Sequence, residues 1–181
     1  MTTYRYSTQT DPQKTAKAVG LNLAVSTKQG IEICNALRRK KIADAKRILN
    51  QAIQMDRAIP FRRFNKDMGH KPGGIGPGRY PVSACTAILS LLEACEANAQ
   101  HKNLDTKSLV LVHISCQKGP KQWHYGRKRR RMMKRTHLEI VLEEFKTEKK
   151  ADQKKQEQKI QEKKTHEKNE TGKKQKAKVN E

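Results

Sequence analysis

No run of about 18 apolar residues occurs in the sequence, so nothing in it predicts a helix that crosses a bilayer. The opening "MTTYRYSTQTDPQ" lacks the apolar centre of a secretory signal. Cys34, Cys85, Cys95 and Cys116 show no CxxC spacing and lie in or beside apolar stretches. Buried free thiols in a reducing compartment are expected, rather than disulfides or zinc ligands. Negative charge is scarce: 18 Asp and Glu stand against 40 Lys and Arg. Those acids form no cluster suited to two-metal chemistry, and no nucleophile–base pair is indicated. The expectation is therefore a protein that is not an enzyme and holds no metal or cofactor.

What is abundant is positive charge. The formal net charge is +22 and the pI about 10.1, a self-repulsion that a polyanionic partner would relieve. Residues 146–181 contribute 13 Lys against 7 acids, so the rest of the chain is strongly basic without them. That distribution favours a basic surface on a folded body over a merely sticky tail.

Residues 1–20 read as an extended arm. "GLNLAVS" alternates Leu21, Leu23 and Val25 as a short strand, with Thr27 as N-cap of a first helix from about Lys28. That helix carries Ile31, Cys34 and Leu37 on one face and ends near "RRKK". A second helix, about Ile42 to Met55, aligns Ile42, Ala45, Leu49, Ala52 and Ile53. Pro60 stops it. A third, about Pro81 to Lys102, has two apolar seams: Val82, Cys85, Leu89 and Leu92, and Ala84, Ile88, Leu91 and Cys95. Two seams predict the central core helix. A strand follows with Val110, Val112 and Ile114 on one face and Leu109 and Leu111 on the other; the return strand alternates Leu138, Ile140 and Leu142. Adjacent strands of this kind pair antiparallel. The span from about 108 to 145 thus reads as one hairpin, and 21–145 as one domain. Residues 146–181 are almost devoid of apolar side chains and predict a disordered or singly helical charged tail.

Two segments carry candidate chemistry. "FRRFNKDMGHKPGGIGPGRYP" is a long loop in which glycines let the backbone approach a phosphate, with Arg62, Arg63, Lys66, His70, Lys71 and Arg79 around it. It is not a nucleotide loop: a Walker sequence needs Gly-Lys-Ser/Thr where this chain has Gly78, Arg79 and Tyr80. The second segment, "GRKRRRMMKR", joins the two strands of the hairpin. A localisation signal gains nothing from that placement. Trp123, Tyr125, Met132 and Met133 interleave with its charges, and aromatic and guanidinium planes stack on unpaired bases while guanidinium forks bind phosphates. RNA contact is expected. His113 and His137 could face each other across the strands beside Glu139; half-exposed strand histidines near a carboxylate explain them better than a nuclease or metal site.

"IPFRRFNKDMGHKPG", "GPGRYPVSA", "LLEACEANAQHKNLDTKSLVLVHISCQKGPK" and "THLEIVLEE" resemble the archaeal and eukaryotic branch of the L twenty-two family of large-subunit ribosomal proteins, called L seventeen in the eukaryotic cytosol. The resemblance covers about residues 14–145, and the charged C-terminal extension resembles eukaryotic members. It implies an α+β fold, three helices packed on a three-stranded antiparallel sheet with a long protruding β-hairpin. It implies a structural constituent of the large subunit that binds rRNA, lines the polypeptide exit tunnel with its hairpin and supports assembly. Partners would be large-subunit rRNA, neighbouring ribosomal proteins and the nascent polypeptide, with no membrane; the location would be cytoplasmic, and nucleolar during eukaryotic assembly. By position, contacts carry over to the six loop residues named above. On the hairpin they carry over to Lys118, Lys121, Arg127, Lys128, Arg129, Arg130, Arg131, Lys134 and Arg135. Eukaryotic relatives have a longer tip with an Asn-Pro turn; here "WHYGRKRRRMMKR" serves, which shortens the implied reach. The rival reading is a free-standing RNA- or DNA-binding protein, a chaperone or chromatin-like factor.

Overall fold

The structure, a computed structural model, describes residues 4–145; the charged tail expected over 146–181 lies outside the described residues. Strands β1 (Thr15–Leu23), β5 (Leu109–Lys118) and β6 (Thr136–Glu144) form an antiparallel sheet in the order β1-β6-β5. Helices α1 (Thr27–Leu37), α2 (Ile42–Ile53) and α3 (Val82–His101) cover one face. Short strands β2 (Ile59–Pro60), β3 (His70–Lys71) and β4 (Gly76–Arg79) make a second sheet, ordered β2-β4-β3, inside the segment read as an irregular loop. The α+β architecture is the expected one, with that small sheet added.

The core is built by the predicted apolar stripes. Leu138, Ile140 and Leu142 of β6 meet Ile88, Leu92 and Cys95 of α3 and Leu37 and Leu49 of the other helices, all but fully buried. Helix α3 packs on β1, β6 and α2, the central place its two seams predict. All four cysteines are free; Cys34, Cys85 and Cys95 are buried and Cys116 half-buried. Burial pushes the Cys85 thiol up to about 12, which keeps it protonated.

Four local expectations are corrected. First, β1 begins at Thr15 and ends at Leu23, so the last six residues of the expected arm are strand, paired from Thr15↔Glu143 to Gly20↔Leu138. Its inward residues Ala16 and Ala18 have weak β propensity, but their small size lets α3 lie close. Second, Ser26 rather than Thr27 is the N-cap of α1, and neither hydroxyl bonds the helix end. The Thr27 hydroxyl instead meets that of Thr136 at 3.0 Å. Third, Leu109, Leu111 and Ile114 are buried together rather than on opposite faces. A register shift between Leu111 and His113 inserts one residue and reverses the alternation. Fourth, α1 buries Gly30, Glu32, Ile33, Cys34 and Leu37, while Ile31 is only partly covered.

The N-terminal segment is held down as well. On the sheet face away from the helices, Glu139 is 2% exposed. It accepts the Tyr4 hydroxyl at 2.5 Å, the Ser7 hydroxyl at 2.6 Å and the Ser7 N–H at 3.1 Å. Farther along, the Lys102 ammonium donates to the carbonyls of Pro12 and Thr15, both at 2.9 Å.

Candidate nucleic-acid interface

Glu32 lies between Ile31 and Ile33 on α1 and is 1% exposed, a position where an ionised side chain needs partners. It finds them in the backbone of the basic loop. Its two oxygens accept three consecutive N–H groups: Arg62 at 3.2 Å, Arg63 at 2.8 Å and Phe64 at 2.8 Å. Phe61, 2% exposed, enters the core just before them. With its backbone turned inward, this stretch sends Arg62 and Arg63 to solvent. Gly78 on β4 is fitted against the Ile59 carbonyl, where an added Cβ would stand 3.1 Å from the oxygen. Lys66, His70 and Arg79 are exposed, and Lys71 is half-buried with its ammonium 5.5 Å from the Tyr80 ring centre.

The hairpin connection is built differently. The β5–β6 ladder runs out to Lys118↔Thr136. Beyond it the two sides stay joined by the Gly119 N–H to the Arg135 carbonyl at 3.0 Å, Met133 to Gln122 at 2.7 Å and His124 to Arg131 at 2.9 Å. Gly126, at φ +62°, opens a single helical turn at the tip. Lys118, Lys121, Arg127, Lys128, Arg129, Arg130, Arg131 and Lys134 are exposed; Arg135 is half-buried. Trp123 is 59% and Tyr125 87% exposed, the most open aromatic positions of the connection. Because the ladder reaches Lys118, the free arm is residues 119–135, with seven residues on each side of the Gly126–Lys128 turn, roughly 23 Å per side at ~3.3 Å per residue.

Loop and hairpin foot meet. Ser26, Thr27, Lys28 and Ile31 of the α1 start, Phe64 of the loop, and Lys118, Lys121, Lys134 and Arg135 of the hairpin line one open cleft of ≈ 540 Å³. Buried Thr136 ties these parts together: its hydroxyl donates to the Val25 carbonyl at 2.8 Å and meets Thr27. The Phe64 ring holds Lys28 Nζ at 5.7 Å and Arg63 Cζ at 5.3 Å from its centre. A second cleft, of ≈ 410 Å³, sets Arg38, Lys40, Arg57 and Arg62 around Asn35 and the committed Glu32. The tip arginines and Lys66, His70, Lys71 and Arg79 line neither cleft.

Among the described residues the ion pairs are Lys46–Glu96, Arg47–Asp44 and the 3.8 Å approach of His113 to Glu139. None involves a Lys or Arg of the loop, the hairpin or the two clefts. Sequence reading missed Lys28, Arg38, Lys40 and Arg57; "RRKK" was visible as charge, but its convergence with the Pro60 turn depends on the packing of α1 against β2. The histidines do not face each other: His113 stands opposite Val141 and His137 opposite Gln117. The Glu139 carboxylate is spent on Tyr4 and Ser7, and among the described residues no cluster of three metal-ligating side chains forms. No helix among them is long and apolar enough to cross a membrane.

A small α+β scaffold whose two built loops display cations with no carboxylate partner among the described residues defines a class of basic, surface-presenting proteins. The family within it is identified by comparison. The family described as "Ribosomal protein L22p/L17e" matches residues 18–143, well over half of the chain, and the chain belongs to it. Similar proteins include those named "Large ribosomal subunit protein uL22" from three archaea. The Methanococcus aeolicus protein is 38% identical over 80% of this chain and 99% of its own length. For Methanocaldococcus jannaschii the identity is 38% over 78% and 95%, and for Archaeoglobus fulgidus 40% over 77% and 94%.

Proposed function

We propose that this protein is a structural, non-enzymatic constituent of the large ribosomal subunit that binds large-subunit rRNA. Its hairpin lines the polypeptide exit tunnel, beside neighbouring ribosomal proteins and the nascent chain. It works in the cytoplasm, passing through the nucleolus during assembly in a eukaryotic cell. The observation that carries this reading is that cations on two structurally defined loops lack carboxylate partners among the described residues. Charge held in place and left unneutralised suits a fixed array of phosphates. The division of labour follows: residues 21–145 with β1 form the binding body, Arg62, Arg63, Lys66, His70, Lys71 and Arg79 its loop contacts, and Lys118, Lys121, Trp123, Tyr125, Arg127–Arg131, Lys134 and Arg135 its hairpin contacts.

Sedimentation of cell extract through sucrose tests the assignment. The protein is expected in the large-subunit peak in stoichiometric amount and to remain there through moderate salt; a position at the top of the gradient would instead support a free-standing factor. Purified protein titrated with large-subunit rRNA should show log K falling against log salt with a slope of about −6 or steeper if ~8 cations meet phosphates. A slope near zero would remove electrostatics as the basis of binding.

A further inference from the structure

We propose that the cleft between the α1 start, Phe64 and the hairpin foot seats a single-stranded segment of RNA, gripping its phosphodiester backbone where body and hairpin join. The inference rests on the rRNA-binding reading above and narrows it to one place.

Five cations, Lys28, Lys118, Lys121, Lys134 and Arg135, line this cleft and, among the described residues, no carboxylate does. Repulsion among them is tolerable because three chain segments fix their bases. Thr136 is locked to Val25 and Thr27, Glu32 fixes the Phe64 turn, and the Phe64 ring gathers Lys28 and Arg63 on the rim. A site assembled this way is charged before its ligand arrives, so phosphate binding costs little reordering. The Ser26 hydroxyl, not used to cap its helix, remains available to an acceptor. Concavity selects the form of the polyanion. A cleft of ≈ 540 Å³ has the size of a small-ligand pocket and admits a unit that leaves the stack. A duplex, with its paired bases held inside, presents ridges of phosphate better met by a convex face or an exposed arm.

The test uses the full chain. Two triple variants remove equal charge: Lys28→Ala/Lys121→Ala/Arg135→Ala in the cleft and Arg129→Ala/Arg130→Ala/Arg131→Ala at the tip. Binding to large-subunit rRNA is measured across a salt series, and photocrosslinking uses a 4-thiouridine-bearing single-stranded oligonucleotide alongside the same strand in a duplex. The cleft variant is expected to lose at least ~10-fold in rRNA affinity, with a slope shallower by about 2, at ~0.7 per single-strand phosphate. In the wild type, single-strand crosslinks should map to the α1 start or the Phe64 turn, with the duplex giving none there. Crosslinks confined to the tip, equal duplex crosslinking in the cleft, or unchanged rRNA affinity of the cleft variant would each overturn the proposal while leaving rRNA binding intact. If the wild type itself fails to bind rRNA, the functional assignment falls and this site with it. Crosslink positions come from the wild type, so the result stands even if the cleft variant folds poorly.

Discussion

The chain carries two basic loops of opposite construction. The Phe61–Tyr80 loop is pinned: Glu32 takes three of its N–H groups, Phe61 is buried, and β4 lies between two short strands. Within residues 119–135 only Gly119 is buried, and the ladder beyond the sheet is held by its own backbone bonds. One loop therefore presents charge as part of the body's surface; the other carries it away from the body. The difference teaches that a run of cations says little about rigidity. Rigidity comes from what the backbone behind the charge is bonded to.

The largest expected effect comes from unpinning the first loop. Glu32→Ala would leave three N–H groups without an acceptor at the edge of the core, and desolvated donors cost ~1–3 kcal/mol each before water re-enters. A net destabilisation of roughly 2–4 kcal/mol is expected in urea unfolding. Glu32→Gln, which keeps an acceptor oxygen and the shape, should lose about half as much. A loss below ~0.5 kcal/mol for Glu32→Ala would mean that the small sheet alone holds the loop.

Glycine sharpens the same contrast. At Gly78 an alanine Cβ would press on the Ile59 carbonyl at 3.1 Å and the Ala58 Cβ at 3.3 Å, inside a fixed sheet. Overpacking of that kind costs ~1–3 kcal/mol. At Gly126 an alanine meets nothing within 4 Å, but φ +62° is strained for a side chain. The left-handed penalty is ~1–2 kcal/mol if the geometry is kept, and the exposed tip can relax to avoid part of it. Gly78→Ala should therefore lower the melting temperature more than Gly126→Ala. The reverse order would mean the tip is the more constrained of the two.

The three helices and the main hairpin were legible because their apolar stripes repeat at the periods of helix and strand. What was hidden depended on contacts distant in sequence. Ala16 and Ala18 read as arm because β1 uses small residues to admit α3. The register shift at Leu111–His113 leaves no mark in an alternating apolar run. Glu32 had a faint signal, an acid flanked by two isoleucines on a helix, but its partners lie some thirty residues away. The loop and hairpin cations were legible by type; that Lys28 and Phe64 join the hairpin foot was not.

A second buried carboxylate pins a third segment, and it makes that attachment sensitive to acid. Burial pushes the Glu139 carboxyl up, but the Ser7 and Tyr4 hydroxyls, the Ser7 N–H and His113 together bring it below the usual carboxylate range. The Tyr4 phenol, bonded to that carboxylate, is raised to about 12 and so keeps its proton at neutral pH. A depressed folded pKa means the stabilisation is complete above the unfolded value of about 4.3 and is lost as pH falls through the folded value. Tyr4→Phe removes one bond while the Ser7 and Gln117 contacts remain. It should cost about 1 kcal/mol near pH 7, and less below about pH 4. A cost that stays constant down to pH 3 would mean Tyr4 stabilises by packing alone.

The smallest effect on stability is expected from the largest excision. Replacing Tyr125–Lys134 by a short Gly-containing turn removes six cations, Arg127–Arg131 and Lys134, and the exposed Tyr125 and Met132, but no buried residue. The bonds lost, such as His124 to Arg131 and Arg131 to Lys128, lie within the hairpin itself. The foot, with Gly119 bonded to Arg135 and Thr136 to Val25, is left intact. Unfolding free energy should change by less than ~0.5 kcal/mol, since surface changes away from buried networks rarely exceed that. Relief of repulsion among the arginines acts in the opposite direction to the lost backbone bonds. If the functional assignment holds, the variant should still enter large subunits through the pinned loop and the four cleft cations that remain, Lys28, Lys118, Lys121 and Arg135, and its defect should appear in late assembly or in the passage of nascent chains. A variant that fails to fold, or is absent from large subunits while remaining folded, would show that the two loops share one task and that the contrast between them is only one of appearance.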